Sequence, residues 1–284
     1  MPSDIPSQKS PQRIALMERI RELEREGLWH VDANEDPETY TLYPDAVDYL
    51  DRKWTSRIKT WVANRVGQHF YEKMIRRGQL VIEEVRGIEN FTAVKGGKII
   101  TSNHFSPMEN YAVWRAIRPY TGGKLLYKVI REGNYTNPPK PYGFIMRNCN
   151  TLPLSSDLAT MKKFTHAFKV LMERGESVLI YPEQSMWYNY RKPKPMQDGA
   201  FHLAVRNRVP IVPFFLTMRD ADTLDGDGFP IQKYTVNILP AIYPDASLPA
   251  PKARAKMKEE NYAAWVKCYE DFYGIPLDYT KDNW

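Results

Sequence analysis

The stretch GKIITSNHFSPMENYAVW, residues 97–114, decides how the chain is read. A short apolar run, Ile99-Ile100, breaks off into Thr-Ser-Asn-His, a pattern expected of a buried strand that ends in a polar turn. Beyond it, Ser106-Pro107-Met108-Glu109 has the form of a capping box with proline at the first helical position, so a helix is expected over 107–118. Strand, polar turn and helix in succession form the unit of an α/β domain. The stretch also leaves a chemical question. His104 precedes the carboxylate of Glu109 by five positions, and on a continuous helix the two side chains would point about 140° apart. If the helix starts at Ser106, His104 is free to fold back towards the first turn.

The same rhythm recurs on both sides. QLVIEEVRG (79–87), KLLYKV (124–129), SVLIYPE (177–183), PIVPFFLTM (210–218) and YTVNILPAIY (234–243) read as strands, several of them continuous apolar runs of the kind buried on both faces. Helical patterns fall at 157–174, at 197–208 and, closing the chain, at 251–273. The expected fold for residues 79–284 is therefore α/β, a mostly parallel mixed sheet flanked by helices. Ahead of it lie a disordered leader (1–12) and a helical region (13–78). Within that region, residues 13–27 form one helix. Residues 50–78 form a second, in which Trp54, Ile58, Trp61, Val62, Val66, Phe70 and Met74 recur every three or four positions. Residues 51–77 carry eight Lys/Arg against Asp51 and Glu72. A basic helix with tryptophans on its apolar face suits a membrane interface, although the same face is equally suited to packing on the protein's own core.

A net charge of +6 favours anionic partners: phosphates, nucleic acid or an acidic membrane surface. Two cysteines, Cys149 and Cys268, are too few for a disulfide framework and fit a reducing compartment. The five histidines are scattered without ligand spacing, so neither a metal site nor a bound cofactor is expected. The opening residues MPSDIPSQKSPQR lack the apolar stretch of a secretory signal, and no apolar run approaches the ~18 residues of a membrane span. The expected location is cytoplasmic, peripheral on the inner face of a membrane.

Four short patterns follow in order: NHxxxxE (103–109), GFIMR (143–147), YPEQS (181–185) and VPIVP (209–213), with EVRGIENF (84–91) leading in. Together they resemble the glycerolipid acyltransferase family, the 1-acylglycerol-3-phosphate acyltransferases and their relatives, over roughly residues 80–220. The resemblance implies transfer of a fatty acyl group from an acyl-carrier-protein or coenzyme A thioester, bound only as co-substrate, to a hydroxyl of a lysophospholipid. His104 would be the general base and Glu109 the acid that orients it. An imidazole of ordinary pKa ~6.5 suits that task, because the donor is already activated and no serine or cysteine nucleophile is needed.

The family more often has Asp at the position of Glu109. The resemblance further implies that Arg147 binds the acceptor's phosphate, where a guanidinium can make two hydrogen bonds, and that Glu183 accepts from acceptor hydroxyls. After YPE the usual Gly-Thr-Arg is replaced by Gln184-Ser185-Met186, which removes one expected phosphate ligand. Ser185, Arg191 and Lys192, with Lys194 close by, are the candidates to replace it. Two other readings stay open: a non-catalytic binder of anionic lipid or nucleic acid, and a thioester hydrolase in which His104 activates water. No nucleic-acid motif is present, and none is expected as a partner of the first reading.

Overall fold

The computed structural model describes residues 9–34, 38–138 and 142–282. Residues 1–8 of the expected leader lie outside the described residues. Ser10 already caps the first helix, α1 (Pro11–Glu26), by accepting from the backbone N–H of Arg13, with Pro11 in the first turn. Helix α2 (Trp54–Arg76) follows, and the α/β alternation then begins. In chain order it runs β1 (Val81–Arg86), α3 (Ile88–Ala93), β2 (Lys98–Thr101), α4 (Glu109–Ile117) and β3 (Leu126–Ile130). The next elements are α5 (Glu132–Thr136), α6 (Gly143–Asn148), β4 (Thr151–Pro153), α7 (Leu158–Glu173) and β5 (Ser177–Ile180). The chain closes with α8 (Gly199–Asn207), β6 (Ile211–Leu224), β7 (Pro230–Ile238) and α9 (Ala250–Tyr273).

Among the described residues the seven strands form one sheet in the order β1-β7-β6-β2-β5-β3-β4. Only β6 and β7 pair antiparallel; every other neighbouring pair is parallel. This is the mostly parallel mixed sheet expected from the continuous apolar runs. The runs are explained by burial on both faces. Ile99, Val178, Ile211 and Phe215 face a core built with Phe164 and Phe168 of α7, Phe201 of α8 and Trp265 of α9. Their neighbours Ile100, Leu179, Val212 and Phe214 face the opposite core, with Phe91 of α3 and Ala112, Val113 and Ile117 of α4. Each such side chain contributes about 1.5–3 kcal/mol by leaving water. Gly97 sets the entry to β2: a Cβ there would stand 2.3 Å from the carbonyl oxygen of Met172, so only glycine lets the strand pass beneath the end of α7.

A third, smaller cluster joins α1 to the segment after β5: Ile20 and Leu23 pack with Trp187 and Tyr190. Helix α2 divides its apolar residues between two faces. Ala63 and Gly67 are buried, Tyr71, Met74 and Ile75 pack on the α4 side of the core, and the helix lies against α6. Trp54, Ile58, Trp61, Val66 and Phe70 are exposed, Trp54 at 71% and Trp61 at 61%. The face that admits both a membrane and a core reading in the sequence therefore packs on the core only in part.

Candidate active site

Parallel pairing brings the ends of β2 and β5 to one edge, with Thr101 level with Ile180. In open α/β sheets this carboxyl edge is where sites are built. The chain leaving β2 is anchored at once. Asn103 is buried and exchanges two hydrogen bonds with the backbone of Leu216 in β6, at 2.9 and 3.0 Å, imitating one more rung of the ladder. Phe105, on the far side of His104, is buried edge-on against Tyr234. His104 is thus held between two fixed residues while its side chain, 26% exposed, leaves the core.

The imidazole folds back to Glu109, as the spacing allows once the helix is interrupted. Nδ1 of His104 hydrogen-bonds Oε1 of Glu109, whose side chain is 0% exposed. With Nδ1–H donated to the carboxylate, the lone pair sits on Nε2. The ring of Tyr181 stacks on the imidazole, centroids 4.0 Å apart and planes 14° from parallel. Burial, reinforced by the negative charge of Glu109, pushes the Tyr181 hydroxyl well above its ordinary value. The same two causes take Tyr71 to about 12. Tyr71 ties α2 to the site: it stacks on Tyr111 of α4 and donates to the carbonyl of Pro107 at 3.3 Å.

The expected capping box is not formed. Ser106 Oγ accepts from Met108 N at 3.1 Å, a turn two residues long, and α4 starts only at Glu109. Its carboxylate therefore serves His104 and not a backbone N–H. The interruption that frees His104 is a serine-proline turn, and the helix begins two residues later than expected.

The structure engages the other expected binding residues with groups of the protein itself. Glu183, the expected acceptor-hydroxyl ligand, is 1% exposed: Oε2 accepts from His104 N at 3.0 Å and Oε1 from Lys194 N at 2.9 Å. Burial raises its pKa, against the opposing charge of Lys194. Ser185 Oγ donates to the carbonyl of Trp29 at 2.5 Å and accepts from Lys194 Nζ at 2.6 Å. Lys192 is buried on Glu24 of α1, 2.7 Å away, so it cannot replace a phosphate ligand. Arg191 pairs with Asp220 of β6 at 2.6 Å.

Arg147 lies on α6, and its guanidinium donates to the carbonyls of Tyr135 and Thr136 at the end of α5. Of the expected cluster, then, only His104 and Glu109 come together as a chemical pair. Glu183 joins them through the backbone. At Gln184, where the family usually has glycine, the backbone keeps the left-handed conformation, φ 60°. Asn103 opens the NHxxxxE pattern and Lys194 belongs to the basic run after YPEQS, but neither pattern signals the anchoring to β6 or the burial on Glu183 that the structure gives them.

A histidine–carboxylate pair at the carboxyl edge of a mostly parallel sheet defines a domain equipped for proton transfer to and from a hydroxyl or thiol. Residues 83–217, which hold the pair, match the Acyltransferase family model. No curated protein matches the chain. Among solved structures, the 1-acyl-sn-glycerophosphate (LPA) acyltransferase PlsC from Thermotoga maritima aligns with a TM-score of 0.49 at 16% identity, covering 81% of this chain and 87% of that one.

Proposed function

We propose that the protein transfers a fatty acyl group from an acyl-carrier-protein or coenzyme A thioester to a hydroxyl of a glycerol-phosphate lipid such as 1-acylglycerol-3-phosphate. The observation that carries this reading is the His104–Glu109 pair within the family domain. Nε2 removes the acceptor's hydroxyl proton as its oxygen attacks the thioester carbonyl. The new C–O bond forms, the C–S bond breaks, and the imidazolium returns the proton to the departing thiolate. Glu109 fixes the tautomer and steadies the imidazolium between these steps. The acceptor class comes from the motif resemblance, not from Arg147, Arg191 or Lys192, whose charged groups are engaged by other groups of the protein.

The exposed half of α2 supports a membrane partner. Its tryptophans stand among exposed Lys53, Arg57, Lys59 and Arg65, the composition that lies along an anionic lipid surface. Among the described residues no helix is long and apolar enough to cross a bilayer. Tyr71 places the end of this helix beside the loop that carries His104, so an acceptor drawn from the membrane has a short path to the base.

The test is transfer of a labelled acyl thioester to a panel of lysolipids. His104→Ala is expected to lose about 10²–10⁴-fold in kcat. Glu109→Gln is expected to lose about 10²-fold or more, because an amide at that place favours the wrong tautomer. Label in a diacyl lipid supports the reading. Free fatty acid formed without dependence on acceptor would assign hydrolysis in its place, and no turnover with any donor would leave a lipid-binding protein.

A further inference from the structure

Lys194 has no part in the proton transfer above, yet it is built into the support of His104. The segment between β5 and α8 bonds the His104 peptide on both sides. Glu183 Oε2 takes its N–H at 3.0 Å, Trp187 N donates to its carbonyl at 3.2 Å, and Asn189 N donates to the next carbonyl, that of Phe105, at 2.9 Å. Lys194 closes this arrangement from below. Its own N–H goes to Glu183 Oε1, and its ammonium lies 3.6 Å from Glu183 Oε2. The ammonium also donates to Ser185 O at 2.8 Å and Ser185 Oγ at 2.6 Å, and it sits 4.6 Å from the centre of the Trp187 ring. Lys194 and Glu183 are each 1% exposed.

The charge of Glu183 matters for a simple reason. An ionised carboxylate is acceptor-only and satisfies two N–H donors at once. A protonated one turns an oxygen into a donor and must give up one of them. A carboxylate in so dry a place stays ionised only with a counter-charge beside it.

The geometry points to Lys194 as a positioning residue for the reaction: its buried ammonium keeps Glu183 ionised, and ionised Glu183 fixes the backbone from which His104 reaches the acceptor. The inference rests on His104 being the base. The ammonium is itself poised to titrate. Burial brings Lys194 down to about 8, against the pull of Glu183 and Asp32 and with a small push from Arg131. The other ionisable neighbours are His104, which lowers the Glu183 pKa, and Tyr190, Tyr262 and Tyr279, whose hydroxyls are raised in part by the Glu183 charge. His30 Nδ1 lies 3.3 Å from the Glu183 carbonyl. As pH rises through about 8 the ammonium is lost, and with it the hold on His104.

The experiment measures kcat and KM for wild type, Lys194→Met and His104→Ala between pH 7 and pH 9. Methionine keeps the packing of the lysine stem beneath Trp187 and removes only the charge. At pH 7 Lys194→Met is expected to lose about 10–100-fold in kcat, the effect of a base displaced by about 1 Å, with KM for the thioester little changed. Towards pH 9 the wild type loses its own ammonium, so the ratio of variant to wild type should climb towards one. A ratio that stays constant with pH would reduce Lys194 to packing and overturn the proposal, as would an unchanged kcat at pH 7.

Should Lys194→Met fail to fold, Ser185→Ala removes one acceptor of the ammonium and should move the alkaline limb of the wild-type profile to lower pH; an unmoved limb counts against the proposal. His104→Ala separates the two readings. If it is inactive while Lys194→Met matches wild type, only the positioning role fails. If His104→Ala is fully active, the base assignment fails first.

Discussion

Two basic segments that look alike in the sequence end in opposite environments. The eight Lys/Arg of residues 51–77 all stand exposed, around the outer face of α2. Lys192 and Lys194 are turned inward, onto Glu24 and Glu183, and the half-buried Arg191 pairs with Asp220. The difference lies in where the acids are. Within residues 51–77 the acids are only Asp51 and Glu72, and Glu72 is engaged by Tyr111 and Arg115. For residues 191–194 the matching carboxylates come from α1, from the end of β5 and from β6, brought together only by folding. Pro193 and Pro195 keep that segment out of helix and ladder, so its side chains are free to take irregular directions. Whether a run of positive charge stays on the outside or is matched by carboxylates of the same chain thus depends on residues far along the sequence.

The comparison can be broken most sharply at Lys192. Lys192→Met leaves Glu24 buried with its counter-charge removed and should cost about 3–5 kcal/mol. Lys59→Met on the outer face of α2 should stay within about 0.5 kcal/mol. Urea denaturation of the two variants measures both, and equal losses would dissolve the distinction. Next in size, changing Trp54 and Trp61 together to Ser should weaken flotation with anionic vesicles at least tenfold, about 1.4 kcal/mol, while leaving the urea midpoint nearly unmoved. Unchanged flotation would assign the outer face to another partner, and a large stability loss would place it in the core. The smallest effect belongs to Gln184. Glycine tolerates its left-handed backbone, so Gln184→Gly should gain about 0.5–1 kcal/mol, read as a small rise in Tm; a fall would mean that the Gln184 side chain makes a contact worth more than the strain.

Much of the fold is legible in the sequence. Ile99-Ile100, Val178-Leu179 and Ile211-Val212 announce strands because both faces are buried, and the helices between them carry clear periodicity. The shortest elements escape such reading: β4 has three residues, and α3, α5 and α6 have five or six, too few to establish a period. The last of these cost most. Read as a motif alone, GFIMR leaves Arg147 free for phosphate; folded as α6, it directs the guanidinium to the carbonyl end of α5. The His104–Glu109 pair was legible because its geometry is local, needing only a break between strand and helix. The role of Glu183 was not, because its partners, the N–H of His104 and Lys194, are fixed by the pairing of β2 with β5 and by a loop that returns on itself.

The strand order has a consequence for how the chain is made. β1 has a single strand neighbour, β7, whose first residue lies about 140 residues further on. At the usual synthesis rate of about 5–20 residues per second, β1 therefore waits roughly 7–30 s on the ribosome with its hydrogen-bonding edge open. Its outer residues alternate little and include Glu83, Glu84 and Arg86, charges that discourage another nascent strand from joining it in the meantime.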